Sequence, residues 1–171
     1  KYLESINSYK KALKYNPKFI LPISNAIDCC QILKRPDLVD DFLLEINNNW
    51  KGNIKANFIK SEILLLQGKS LSSFKNYELY FYENGKVLDP TELHNKVVNP
   101  ENDLTLLGKP STKDHKNFAH SCILSNEIEK FYEIFNLIEK MPEWMDGDWL
   151  VLKSEALRRQ NKLADAKKIL L

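Results

Sequence analysis

Small and apolar residues recur at helical spacing along most of the chain. Residues 5–17, SINSYKKALKYNP, put Ser5, Tyr9, Ala12 and Leu13 on one face, and Pro17 then stops the helix. The aromatic run 74–82, FKNYELYFY, sets Phe74, Tyr77 and Phe81 at i, i+3 and i+7, a core stripe. Tyr80 and Tyr82 fall off that stripe and are candidates for an exposed aromatic patch. A third stretch, NFAHSCILSNEIEKFYEIFNLIEKMP, reads as two helices ending at Pro142. Five glycines in 171 residues leave few breaks between runs of helix formers, so the fold class is all-α.

The pattern also repeats over long range. Residues 60–69, KSEILLLQGK, return as KSEALRRQNK at 153–162, with Lys, Ser, Glu, Leu, Gln and Lys in step. Self-similarity at a fixed step marks stacked helical units. Ser5 and Ser73 are spaced alike with Tyr9 and Tyr77, at twice 34 residues. Gly68 and Asn161 hold equivalent places in the echo, and Asn126 falls there in the stretch between. Glycine and asparagine are the residues that best close a helix in the left-handed conformation.

The small-x3-aromatic-x2-Ala-Leu-x3-Pro pattern of Ser5–Pro17 resembles the second helix of a tetratricopeptide repeat, a unit of 34 residues. The resemblance divides the chain into a half unit at 1–19, units at 20–53 and 54–87, an insertion at 88–111, and units at 112–146 and 147–171. It implies an α-solenoid of antiparallel helix hairpins wound as a right-handed superhelix. The small contact position is kept at Ser61, Ala119 and Ser154 but holds Ile27 in the second unit. Phe131 stands where another small residue is expected, and Lys34-Arg35-Pro36 replaces a glycine turn. In the insertion, Asp89 caps and Pro90 opens a short helix, PTELHNKVV, whose Leu93 and Val97 pack back on the array with Leu104 and Leu107. The first helix of the array lacks a partner and the last lacks a polar cap. A piece of a longer protein, or self-association through the ends, is therefore expected.

Charge narrows the partners. Twenty-five Lys and Arg against 23 Asp and Glu give no broad field for nucleic acid or an anionic membrane, so no nucleic acid is expected. RNA binding by a helical repeat is the weakest reading, because neither charge nor base-reading positions are patterned. No apolar run reaches the roughly 20 residues of a membrane span. Cys29, Cys30 and Cys122 form no disulfide framework and read as small buried residues in a reducing, cytoplasmic setting. His94, His115 and His120 lack the spacing of a metal site. No phosphate loop, nucleophile elbow or zinc-hydrolase motif occurs, so no catalytic residue, metal or cofactor is assigned. Trp50, Trp144 and Trp149 read as plugs at the turns between units.

Carried onto this chain, the resemblance places first-helix residues on a concave face. Those singled out are Asp28, Gln31, Phe58, Glu62, Leu65, Lys116, His120, Ile123, Glu155 and Arg158. Asp28, Glu62 and Glu155 form a row of carboxylates suited to basic or amide groups of an extended peptide. Phe58, Leu65 and Ile123 supply apolar anchors. Plain solvated charge is the competing account of the carboxylates. The function expected is a non-catalytic scaffold that binds a protein or peptide. The alternative is a helical accessory region of a larger enzyme, such as a glycosyltransferase, that positions substrate or drives oligomerisation.

Overall fold

The computed structural model describes residues 1–97 and 111–170. It is mostly helical. Ten α-helices occur among the described residues: α1 Tyr2–Tyr15, α2 Leu21–Leu33, α3 Asp40–Asn49, α4 Ile54–Leu66, α5 Ser70–Phe81, α6 Pro90–Val97, α7 Thr112–Leu124, α8 Ile128–Ile138, α9 Gly147–Arg159 and α10 Leu163–Ile169. Short 3-10 turns at Pro36–Val39 and Pro142–Trp144 lead into α3 and α9, each opened by its proline.

Local chemistry explains the helix ends. Asn53 accepts from the Ala56 amide at 3.1 Å and opens α4. Ser111 and Asp114 form a reciprocal capping box at α7. Asp146 accepts from the Asp148 amide at 3.1 Å and opens α9. Asp89 takes the amides of Thr91 and Glu92, both at 2.8 Å, while Glu92 reaches back to the Asp89 amide at 3.0 Å. The short helix expected after Asp89 is therefore present, and its Leu93 is fully buried. The expected packing of Val97, Leu104 and Leu107 lies outside the described side chains.

One turn recurs four times. Lys34, Gly68, Asn126 and Asn161 all adopt left-handed φ, at 52°, 73°, 63° and 60°. After each, the next amide reaches back over the turn. Arg35 donates to Cys30 at 3.0 Å, Lys69 to Leu64 at 2.8 Å, Glu127 to Cys122 at 2.8 Å and Lys162 to Leu157 at 2.9 Å. These are Schellman closures, which satisfy carbonyls that the helix end leaves open. Lysine takes the strained place in the first turn, where Gly or Asn stands in the others.

Helices adjacent in sequence pack as α1 with α2, α4 with α5, α7 with α8, and α9 with α10. Further contacts join α2 to α4, α3 to α4, α5 to α7, α7 to α9 and α8 to α9. Two apolar clusters result. One joins Ile6, Ile23, Ile27, Phe42 and Ile63 across α1–α4. The other gathers Phe74, Tyr77, Phe81, Phe118, Phe131, Phe135 and Trp149 across α5–α9. Half-buried Phe58 packs against both. The core stripe Phe74–Tyr77–Phe81 is present as expected, and Cys29, Cys30 and Cys122 are buried and unpaired.

Three expectations need correction. Tyr80 and Tyr82 are buried, at 6% and 8% exposure, so they form no surface patch. Tyr80 packs on Phe58, and Tyr82 donates to Glu133 beneath the Lys130 ammonium. The aromatic run also does not continue as helix. It ends at Phe81 and enters a two-stranded antiparallel hairpin, β1 Tyr82–Glu83 with β2 Lys86–Val87. Asn84 and Gly85, both at positive φ, make its two-residue turn. The all-α class thus carries one small hairpin. Ile123, expected as a surface anchor, is fully buried in the second cluster.

Candidate functional site

The ten residues singled out from the sequence separate into distinct environments. Asp28 on α2 is exposed and pairs with Lys113 on α7 at 3.2 Å. Gln31 and Leu65 are half-buried, and Leu65 packs against the second cluster. Phe58 is held edge-on and tilted against Tyr77, Tyr80 and Phe81, which makes it a core contact.

Glu62 departs most from expectation. It is buried at 8% exposure, so it is not a surface carboxylate. Tyr77 donates its hydroxyl to Glu62 Oε1, and Asn117 Nδ2 approaches both carboxylate oxygens at 3.0 and 3.1 Å. Burial raises its pKa, opposed by those two donors. The Tyr77 pKa is raised well above its ordinary value, first by burial and then by the Glu62 charge. This carboxylate ties α4 to α5 and α7. Its partners lie 15 and 55 residues away in sequence, too far for local spacing to reveal.

Lys116 and His120 lie on α7 where it faces α9, whose Glu155 is near enough to influence His120 and pairs with Arg158. A groove of about 280 Å³ runs there, lined by Lys116, Asn117 and His120 from α7 and by Asp148, Val151 and Leu152 from α9. Val151 is 56% exposed in this lining. Lys116 reaches across to Asp146 and Asp148. Burial pulls the Lys116 pKa down, but the hydrogen bonds to both aspartates outweigh it and leave it raised. The Lys116 hydrogen bond holds the Asp146 carboxyl below the usual range.

At the other end of α9, Arg158 grips Glu155 through two bonds of 2.7 and 2.8 Å, and Arg159 adds a third at 3.0 Å. The Arg158 and Arg159 bonds hold the Glu155 carboxyl down at about 2 against an opposing burial effect. His120 faces this cluster. Burial lowers its pKa first, and the Arg159 charge lowers it further, so the ring is neutral at neutral pH.

Asp146, Asp148, Asn117 and Leu152 belong to this site but were not singled out from the sequence. The Asp-Gly-Asp stretch at 146–148 carries a local cap signal for α9, but no local spacing reveals the bond to Lys116. No group of His, Cys, Asp or Glu among the described residues could hold a metal ion. No helix among the described residues is long and apolar enough to cross a membrane. The chain matches no family model, no curated protein and no solved structure.

Proposed function

We propose that this chain is a helical-repeat interaction module of tetratricopeptide type that holds an extended peptide in the groove between α7 and α9. The observation that carries the reading is the groove itself. An exposed valine of α9 sits between two charged clusters, in a groove walled by α7 and α9, which the repeat reading assigns to successive units. The repeat reading draws support from the four Schellman turns, which fall at the counted positions 34, 68, 126 and 161. It also draws support from contacts between first helices of successive units, α2 with α4 and α7 with α9. On this reading the array is a solenoid and the groove lies on its concave face. Three buried, unpaired cysteines suit a reducing compartment such as the cytoplasm.

Selection of a phage-displayed linear peptide library on the whole chain tests the proposal. Peptides should be enriched, and replacing Val151 by Gln should weaken them about tenfold, since an apolar contact is lost and an amide is desolvated. Val151 is exposed, so the variant should melt like the parent. Enriched peptides that all ignore Val151→Gln, or no enrichment, would sink the groove reading.

A further inference from the structure

We infer that the α7–α9 groove is electrically polarised and selects an extended segment in which one basic and one acidic residue flank an aliphatic side chain. The inference rests on the peptide-binding reading above and specifies its ligand.

The charges in the groove and at its two ends along α9 do not cancel locally. At the start of α9, Lys116 faces two carboxylates, Asp146 and Asp148, which leaves one negative charge in excess. Lys116 is only 16% exposed, whereas Asp146 and Asp148 are 48% and 78% exposed. An incoming ligand therefore meets the acids before the lysine. At the end of α9, Glu155 is shared between Arg158 and Arg159, which leaves one positive charge. Arg158 is 60% exposed and is the cation most available there. His120 adds no charge at neutral pH, and the neighbouring Lys113 is balanced by Asp28.

Asp148, Val151, Glu155 and Arg158 follow one another at i, i+3, i+7 and i+10, so they line one stripe of α9. From Asp148 to Arg158 the helix rises about 15 Å. An extended chain advances roughly 3.4 Å per residue, so it covers that span in about four or five residues. A ligand matching both charged ends thus carries its cation and anion four or five positions apart, with an aliphatic side chain over Val151. A helical ligand would need the two charges about ten residues apart, so the spacing itself reports the ligand's conformation.

The same peptide selection, followed by fluorescence anisotropy of a labelled enriched peptide, tests this. Enriched sequences should share a basic and an acidic residue at that separation. Asp148→Lys should weaken binding about fivefold, as expected for a single partly exposed ion pair. Replacing the basic residue of the peptide by Glu should restore affinity to the Asp148→Lys chain. Arg158→Glu should act likewise on the acidic residue. Both sites are exposed, and unchanged thermal melts would confirm that each variant is folded. If peptides depend on Val151 but show no such spacing, or ignore both charge reversals, the polarity is overturned and the groove reading survives. If no peptide depends on Val151, both are overturned.

Discussion

The Ser73 hydroxyl donates to the backbone carbonyl of Ser61 at 2.9 Å, bridging α5 and α4 where both residues are fully buried. A mirror of this bond closes the last helix pair, where Ser154 on α9 donates to the Ala166 carbonyl on α10 at 3.1 Å. In both cases twelve residues separate the partners, and a small side chain lets one helix backbone come within reach of the other. Ser73→Ala should therefore lose about 1 kcal/mol, the value of one hydrogen bond. Ser73→Leu should lose about 3 kcal/mol, because the added volume pushes the two backbones apart. Urea denaturation of both variants checks this. A leucine tolerated as well as the alanine would show that the helices do not meet there.

Glu62 makes a second prediction, this time with a pH signature. Tyr77→Phe removes one donor from a buried carboxylate and should destabilise by about 2 kcal/mol at neutral pH. The Glu62 pKa already stands above its ordinary value because of burial, and losing the hydroxyl raises it further. A carboxylate with a raised folded pKa weakens the fold while it is ionised. That penalty fades as pH falls through the folded value and the group protonates. The Tyr77→Phe deficit should thus shrink as pH falls toward the usual carboxylate range. Glu62→Gln should stay within about 1 kcal/mol of the parent, since an amide keeps an acceptor for Tyr77. Denaturation at two pH values with both variants gives the test; a pH-independent Tyr77→Phe deficit contradicts it.

The turns were more legible in the sequence than the site. Gly68, Asn126 and Asn161 mark helix ends because few residues accept left-handed φ, and that constraint is local. The cap at Asp89 is local too, a carboxylate that accepts the amides two and three residues on. Glu62 was misread because a count along the repeat assigns a face but not a partner, and Tyr77 and Asn117 belong to other helices. Helical spacing along 74–82 reveals only one buried stripe, and Tyr80 and Tyr82 fall outside it. Tyr80 is instead covered by Phe58 of α4, and the chain turns into a hairpin after Phe81, which carries Tyr82 to Glu133. Asn84-Gly85 is the local hairpin signal, since both residues accept positive φ. Of the residues singled out, Lys116 and His120 line the groove between α7 and α9, while Asp146 and Asp148 enter only through contacts with Lys116 some 30 residues away.

Lys34 gives a prediction of opposite sign to most substitutions. It holds φ 52°, a conformation that places a β-carbon close to the following carbonyl. Its equivalents are Gly68, Asn126 and Asn161. Lys34→Gly should stabilise the chain by about 0.5–1 kcal/mol, with relief of the left-handed strain offset in part by the flexibility of glycine. Conversely, Gly68→Ala should lose about 1 kcal/mol from φ alone, since none of the described residues lies within 4 Å of an added β-carbon. Thermal melts of the two variants should shift in opposite directions. A shift in the same direction would mean that the two turns are not equivalent.

His115 should make the fold sensitive to acid. It is fully buried at the start of α7, with Phe81 and Trp144 edge-on at 4.7 and 5.0 Å. Its Nδ1 meets the Ser111 carbonyl at 3.0 Å, while its Nε2 is buried with no partner among the described residues. Burial lowers its pKa to about 4, against the Ser111 bond that raises it. An unfolded histidine protonates near pH 6.5, so between that pH and about 4 the unfolded chain binds the extra proton. Stability from neutral His115 is present above pH 6.5 and falls as pH drops toward 4, by about 3 kcal/mol in all. Glu62 and Asp114, whose pKa values burial raises, work in the opposite direction at the lower end of this range. The contribution of His115 must therefore be isolated with a variant. His115→Leu keeps an apolar side chain against Phe81 and Trp144. The Ser111 carbonyl still accepts from the Asp114 and His115 amides at 3.1 and 3.3 Å. Its stability should decline less than that of the parent between pH 6.5 and 4, measured by urea denaturation at steps across that window. Parallel declines in the two proteins would move the acid sensitivity away from His115.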